Sequence, residues 1–396
     1  MVGAMPNIST GIGVINAPPP RPTPAIPGGR GLSPDRVQSG GRRPEPAMTL
    51  HIEFDAIDRH HLTALLRAAP KAELHIHIEG SLEPELIFEL AKRNGVALPY
   101  ADVAALRKAY AFTDLQSFLD IYYAGASVLL HEADFEAMAW AYFERAAHDN
   151  VVHTEIFFDP QTHTARGVDI GVVVRGLARA AGRAEAELGL SVRLILCFLR
   201  HLSEEDALAT LEAALPYREH FIGVGLDSGE RGNPPAKFAR VFQRARGLGL
   251  HLVAHAGEEG PPAYIRDALD VLHVERIDHG VRCVEDPALV ERLARERVPL
   301  TVCPLSNVKL CVFDRLDRHN VPALLSAGLA VTINSDDPAY FGGYLNENLA
   351  QLFDALPQLG PREAYQVLRN SIEGAFVDEE DKLLWIEELD SVFAAS

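Results

Sequence analysis

Eight short apolar runs, most of them followed by a stretch with helical periodicity, constrain the fold of this chain more than any other feature. Several runs, such as Val192–Leu196, are almost continuously apolar, which is typical of strands buried on both faces of a parallel sheet. Eight strand-helix alternations predict an α/β protein built as a (β/α)8 barrel of the TIM type. The predicted strands are residues 73–78, 151–158, 191–199, 221–226, 251–255, 275–279, 299–303 and 330–334.

Two segments fall outside this regular repeat. Residues 100–147 predict two or three extra helices inserted after the first β/α unit, with aromatic side chains that include Phe112 and Tyr122. These aromatics either cap a site at the carboxyl-terminal face of the barrel or only pack the inserted helices onto it. Residues 1–48 are rich in proline and glycine and cannot build a core, so we predict a disordered tail before one barrel domain over residues 49–396.

Titratable residues are concentrated where the predicted strands end. His75 and His77 lie two residues apart in the first strand and therefore project from the same side of it. His255 ends the fifth strand, His279 ends the sixth, and a pair of aspartates follows the eighth. Taken singly, each could be an exposed histidine or a solvated loop charge. Barrel enzymes place their chemistry at this face, so we expect the side chains to meet there.

The set has the composition of a metal site. Three imidazoles and one carboxylate suit Zn²⁺, with Fe²⁺ or Co²⁺ as competitors. The fourth strand ends without a lysine that could be carbamylated to bridge two ions, so we expect one metal ion. Glu258 is placed to transfer a proton beside the metal, His279 to orient or deprotonate a water, and Asp337 to bind substrate.

The net charge of −18 argues against binding to a nucleic-acid backbone and favours a small neutral or cationic substrate. No apolar stretch reaches the roughly 18 residues that a membrane span requires, so we expect no membrane partner. The chain leaves open whether it forms a homo-oligomer. Four widely spaced cysteines without a Cys-x-x-Cys pair predict reduced thiols. They are Cys197, Cys283, Cys303 and Cys311.

The first residues lack the basic start and apolar core of a secretory signal peptide, so we expect a cytoplasmic protein. Residues 1–48 are either a functional tail or lie upstream of a translation start at Met48.

Between Pro70 and Glu388 the chain resembles the adenosine/adenine deaminase family of metal-dependent hydrolases. The runs that carry the resemblance are Pro70-Lys71-Ala72-Glu73-Leu74-His75-Ile76-His77-Ile78-Glu79-Gly80, His255-Ala256-Gly257-Glu258, Asp278-His279-Gly280, Cys303-Pro304-Leu305-Ser306-Asn307 and Ser335-Asp336-Asp337-Pro338. The metal ligands that the resemblance implies are His75, His77, His255 and Asp336. It further implies that Glu258 protonates purine N1, His279 assists the attacking water and Asp337 holds the ring at N7.

Within the family, the chain resembles the adenine deaminase branch. This similarity lies in Ser81–Glu85, Ser228–Pro235 and Asp336–Gly343. Adenosine deaminases usually have Asp where this chain has Glu79, and that Asp is associated with the ribose side of the pocket. The longer Glu79 would reach into the space of a ribose. The substrate-binding residues implied are Asp337, Glu79, Ser228 and Gly229.

The resemblance therefore implies zinc-dependent hydrolysis of adenine to hypoxanthine and ammonia, an enzyme of purine salvage. Three alternatives remain at this point. The chain deaminates adenosine on the same scaffold, it acts on another aminated or N6-substituted purine, or it is a catalytically silent barrel that binds purines.

Overall fold

The computed structural model describes residues 50–110 and 115–396, and eight strands of these residues form one parallel sheet in chain order. Each strand pairs in parallel with the next along the chain. The strands are β1 (Lys71–His77), β2 (Val151–Phe158), β3 (Ser191–Leu199), β4 (Gly223–Asp227), β5 (His251–Ala256), β6 (Arg276–His279), β7 (Pro299–Val302) and β8 (Ala330–Ile333). The predicted (β/α)8 barrel is confirmed.

The sheet closes where the chain leaves β8 and meets β1. The Asp336 N–H donates to the His75 carbonyl at 3.1 Å, and the His77 N–H donates to the Asp336 carbonyl at 2.9 Å. Lower down, the Leu74 N–H donates to the side-chain carbonyl of Asn334 at 2.9 Å. The seam of the barrel thus holds three of the predicted metal-binding residues beside one another.

The described residues form 17 α-helices. The helices up to the eighth are α1 (Leu62–Ala68), α2 (Pro84–Asn94), α3 (Val103–Ala109), α4 (Leu115–Ala126), α5 (Glu132–His148), α6 (Pro160–Thr164), α7 (Ile170–Leu188) and α8 (Glu204–Ala214). The others are α9 (Ala239–Gly247), α10 (Pro262–Asp267), α11 (Pro287–Glu296), α12 (Pro304–Lys309), α13 (Val321–Ser326), α14 (Pro338–Phe341), α15 (Leu345–Ala355), α16 (Pro361–Glu373) and α17 (Glu379–Ala394).

The insertion predicted over residues 100–147 consists of α3, α4 and α5. Its aromatic side chains divide between the two expected roles. Phe118 and Tyr122 of α4 face the cavity at the carboxyl-terminal end of the barrel, whereas Tyr142 and Phe143 of α5 are buried in packing contacts. Phe112 and residues 1–48 lie outside the described part of the chain, so the disordered tail stays a prediction.

The strands are buried on both faces, as their apolar runs predict. All eight residues of β2 are buried, and the main hydrophobic core fills the layer between the strands and the surrounding helices. The sequence pattern did not predict helices α1, α16 and α17. These three helices contact one another, and α16 packs against β1. Among the described helices, none combines the length and the apolar character that a membrane crossing requires.

Candidate active site

The predicted metal-binding side chains converge inside the carboxyl-terminal end of the barrel. His75 Nε2 lies 3.3 Å from Asp336 Oδ1, and His77 Nε2 lies 3.5 Å from the same oxygen. His77 Nε2 and His255 Nε2 are 3.1 Å apart. A tetrahedral metal ion with ligand distances of about 2.0–2.1 Å separates its ligand atoms by about 3.3 Å. These three distances match the spacing of ligand atoms around a single metal ion.

Burial supports the same interpretation. All four groups are at most 6% exposed, and His75 Nε2 makes no hydrogen bond. Burial and the neighbouring imidazoles hold the pKa of His255 well below its usual value, so the ring is neutral, the form that binds metals. Burial opposes the ionisation of Asp336, but His75 and His279 outweigh it and lower the pKa of this carboxyl group. His255 and Asp336 are therefore in the protonation states that bind metals.

Each imidazole has a polar group behind it. His75 Nδ1 lies 2.9 Å from the Thr301 hydroxyl, which donates to Asp278 at 2.9 Å. The other Asp278 oxygen lies 3.7 Å from His255 Nδ1, and Asp227 lies 3.5 Å from His77 Nδ1. Such partners fix the ring orientation and leave Nε2 facing the centre. Thr301 and the orienting roles of Asp278 and Asp227 were not predicted from the sequence.

The backbone around the centre is unusual. His279, Asp336 and Ser228 have φ values of 65°, 65° and 69°, a left-handed conformation that costs energy for residues other than glycine. At Gly80, a Cβ atom would overlap with the Asp337 carboxylate, so only glycine allows this approach. Such strained residues lining a cavity are typical of functional sites.

Glu258 and His279 lie beside the metal-binding group. Glu258 Oε1 accepts a hydrogen bond from Asn307 Nδ2 at 3.0 Å, and its Oε2 lies 3.5 Å from His279 Nε2. Burial, together with the carboxylates of Asp336 and Glu230, raises the pKa of Glu258 well above its usual value. Burial lowers the pKa of His279 to about 3. A protonated carboxyl group and a neutral imidazole therefore face the same space, an acid beside a base.

Glu230 holds the loop that carries Glu258. Its buried carboxylate accepts hydrogen bonds from the N–H groups of Gly257 at 3.1 Å, Glu258 at 2.9 Å and Gly260 at 2.8 Å. The sequence analysis quoted Glu230 only as part of a run and gave it no role. Its position just after β4 was the one feature that could have drawn attention to it, and nothing in the sequence indicates which loop it contacts.

An open cavity lies over the centre. The described residues that line it are His77, Phe118, Leu119, Tyr122, Tyr123, Asp159, Leu199, Asp227, Ser228, His255, Glu258, His279, Leu310, Asp336 and Asp337. The predicted catalytic and metal-binding residues thus gather in one place, and helix α4 of the insertion covers part of it.

Two of the four predicted substrate-binding residues line the cavity and two do not. Asp337 lines the cavity, its Oδ1 makes no hydrogen bond, and burial and the Asp336 carboxylate raise its pKa well above the usual value. Ser228 also lines it, and its hydroxyl lies 2.9 Å from His201 Nδ1. Gly229 and Glu79 are not among the lining residues, so their contact with substrate stays a prediction.

Glu79 is buried behind the cavity wall. Its Oε1 accepts a hydrogen bond from His163 Nε2 at 2.8 Å and one from the Asp159 N–H at 3.2 Å. Burial raises the pKa of Glu79 to about 7. Asp159, which does line the cavity, was not predicted from the sequence, because a single aspartate after a strand gives no distinguishing signal.

The chain matches the family model described as adenosine deaminase over residues 70–392. It is 68% identical over 342 residues to a curated protein named adenine deaminase from Geotalea uraniireducens, covering 86% of this chain and 96% of that protein.

Two solved structures have the same fold. The adenine deaminase structure from Arthrobacter aurescens superimposes with a TM-score of 0.80 at 53% identity, covering 82% of this chain and 99% of that one. An amidohydrolase from Burkholderia ambifaria, solved with bound Zn, gives a TM-score of 0.78 at 27% identity, covering 87% of this chain and 98% of that one.

Proposed function

The chain belongs to the adenosine deaminase family, and from this membership we propose that it hydrolyses adenine to hypoxanthine and ammonia. The observation that carries the proposal is the convergence of His75, His77 and His255 with Asp336 next to the protonated carboxyl group of Glu258. The similar proteins named adenine deaminase support the free base, and adenosine is not favoured as the substrate.

The metal ion that fits this site best is Zn²⁺, one ion per chain. We assign it to His75, His77, His255 and Asp336, a set of nitrogen and oxygen donors that Fe²⁺ and Co²⁺ also accept. The zinc-containing relative supports this choice. When bound, such an ion lowers the pKa of water to about 7 and so supplies the hydrolytic nucleophile at neutral pH.

The chain's own residues supply the rest of the chemistry. Glu258 donates its proton to N1 of the purine, which withdraws electrons from the ring and opens C6 to attack by water. His279, neutral because burial lowers its pKa to about 3, orients this water and accepts its proton. Asp337 donates from its protonated carboxyl group to N7. His279 passes the proton that it took from water to the amino group, which leaves C6 as ammonia. The C6 hydroxyl returns a proton to Glu258 as it becomes the carbonyl of hypoxanthine.

The first experiment compares ammonia release from adenine and adenosine by the Zn²⁺-loaded protein. We expect kcat/KM for adenine to exceed that for adenosine by about 10²-fold or more, because discrimination that leaves polar groups of the site unpaired reaches this size. A preference for adenosine would overturn the choice of substrate but keep the mechanism. Purine binding without ammonia release from any aminopurine would favour the silent binding protein instead.

Asp278→Asn tests the groups behind the metal ligands. Asp278 accepts a hydrogen bond from Thr301, which contacts His75, and its other oxygen lies near His255 Nδ1. We therefore expect the amide that this variant introduces to weaken metal binding by about 10- to 100-fold. Competition with a chelator of known affinity measures this change directly.

Asp270→Asn is the matched control, because Asp270 is 55% exposed and pairs with Arg292 far from the site. An unchanged metal affinity in a folded Asp278→Asn protein would remove Asp278 from this role.

The substrate is a small purine, and we propose the cytoplasm as the place where the enzyme acts. The cysteines support this choice, since the buried thiols of Cys197, Cys283 and Cys303 are free and a reducing compartment leaves thiols in this state.

A further inference from the structure

The mechanism leaves one side of the cavity without a role. Asp159 and Asp227 line it there, each at most 4% exposed, and their carboxyl groups interact with each other. Burial raises the pKa of both groups, and this contact raises that of Asp227 further but partly offsets the rise for Asp159. Apart from this contact, Asp159 Oδ1 and both carboxyl oxygens of Asp227 have no hydrogen-bond partner within the described structure. Asp227 lies 3.5 Å from His77 Nδ1, which accounts for its position. Asp159 has no such function, yet an unpartnered buried carboxylate oxygen costs free energy unless something satisfies it.

The fold fixes Asp159 firmly in place. It directly follows β2, its N–H donates to Glu79 at 3.2 Å, and the Tyr122 hydroxyl lies 3.5 Å from its Oδ2. Glu79 is held in turn by His163, whose Nδ1 accepts from Arg166 at 2.8 Å. Burial lowers the pKa of His163 to about 3, so the neutral ring donates through Nε2 to Glu79. Asp159 is therefore preorganised at the cavity wall, and the neighbouring Asp227 carboxyl group is the one described partner that its Oδ1 has there.

The order of the strands indicates which ligand atom meets Asp159. Around the edge of a purine, the atoms N1, C6, N7, N9 and N3 follow one another in that order. Around the barrel, the cavity groups follow one another in the order of their strands. They are Glu258 after β5, His279 at the end of β6, Asp337 after β8, Asp159 after β2 and Asp227 at the end of β4. With N1 at Glu258, C6 at His279 and N7 at Asp337, the next atom, N9, points to Asp159.

We infer that Asp159 accepts a hydrogen bond from the N9–H of the free purine base and so selects the base over its nucleoside. The inference rests on the proposed function, because it takes the ring orientation from Glu258 and Asp337. Adenine in its 9H form carries a donor at N9, whereas a nucleoside carries a sugar there. A sugar at N9 removes the donor and leaves the buried Asp159 oxygen without its hydrogen bond. The sugar would also point toward the side chains of Asp159 and Tyr122.

This assignment also gives Glu79 a function without direct contact with substrate. Glu79 is a positioning residue that holds the backbone of Asp159, and the additional methylene relative to Asp lets its carboxylate reach both His163 and the Asp159 N–H.

The test compares adenine with 9-methyladenine, which lacks the N9–H but adds only one methyl group. For Asp159→Ser we expect kcat/KM for adenine to fall by about 10- to 100-fold, mainly through KM, because the contact is the same in the ground state and the transition state. For 9-methyladenine we expect a change of less than about threefold, so that the preference for adenine collapses. Asp314→Ser, at a side chain that is 83% exposed, is the matched control.

A second variant distinguishes loss of the hydrogen bond to N9 from a change in the shape of the site. Asp159→Asn keeps an acceptor oxygen at the reach of the aspartate side chain, which the shorter serine does not, so we expect it to retain more of the preference for adenine than Asp159→Ser. Metal content is measured for each protein, because Asp159 lies near His77. Equal losses on both substrates, or no loss of the preference, would overturn the inference.

Binding of the products keeps this test independent of turnover. We expect the wild-type protein to bind hypoxanthine at least 10-fold more tightly than 9-methylhypoxanthine, and Asp159→Ser to remove most of this difference. If the wild-type protein fails to deaminate adenine, the proposed function fails, and the two hypoxanthines still decide whether Asp159 contacts N9. Equal affinities for them in the wild-type protein would overturn the inference alone.

Discussion

Glu258→Gln is expected to lower kcat/KM for adenine by about 10²- to 10⁴-fold while the protein keeps its fold and its metal. Glutamine has the size of glutamate and its carbonyl can still accept from Asn307, but it has no acidic proton for N1. Without that proton the aromatic ring stays a poor electrophile at C6. Steady-state ammonia release measures the loss of turnover, and the metal content per chain shows whether the metal is retained.

The neighbouring Glu259→Gln is the matched control. Glu259 allows the same substitution one residue along the chain, but its carboxylate pairs with Arg231 at 3.2 Å and it is not among the described residues that line the cavity. We expect this variant to retain wild-type turnover. If Glu258→Gln retained it as well, Glu258 would not be the proton donor.

The pH profile has a defined sign. Glu258 must be protonated to act, and burial and the Asp336 and Glu230 carboxylates raise its pKa well above the usual value. Activity that depends on this proton is present below the raised pKa and lost as the pH rises through it. The limb of the kcat/KM profile that falls on the alkaline side is therefore expected in the wild-type protein and absent from Glu258→Gln.

The sequence predicts the centre of this site because its chemistry coincides with strand ends. His75, His77 and His255 lie on or at the end of apolar runs that could only be buried strands, and a barrel brings such ends together. The predicted strand bounds differ from the observed ones by at most two residues. Lys71, predicted to precede the first strand, lies in β1 with no exposed surface, because its ammonium group donates to the Asp149 carbonyl at 2.6 Å.

The contacts that hold the surrounding side chains of the site could not be predicted, because the residues that form them are far apart in the sequence. Glu230 holds the loop of Glu258 from 28 residues away, and Asn307 reaches Glu258 from 49 residues away. Glu79 and His163 are 84 residues apart. The runs that carry the resemblance include Glu79, Glu230 and Asn307, but they do not indicate which residues these side chains contact. Sequence periodicity locates strand ends, but it carries no information on which loops touch.

The identity of the third histidine ligand is the part of the metal site that most needs a test. The donor atoms of His75, His255, His279 and Asp336 all lie within 4.8 Å of one another, so proximity alone would include His279. The distances favour His77, because His75 and His77 both approach Asp336 Oδ1, at 3.3 and 3.5 Å. His279 instead faces the other oxygen, Oδ2, at 3.9 Å.

His77→Ala is therefore expected to lose the metal, and His279→Ala to keep it. Removal of a ligand removes several kcal/mol of metal-ion catalysis, so activity of His77→Ala should fall by about 10³-fold or more. His279→Ala should lose about 10²- to 10⁴-fold of kcat at nearly wild-type metal content. His148→Ala, at a side chain that is 75% exposed, controls for the substitution itself. Metal retained by His77→Ala and lost by His279→Ala would make His279 the ligand, and another group would then have to accept the proton of the attacking water.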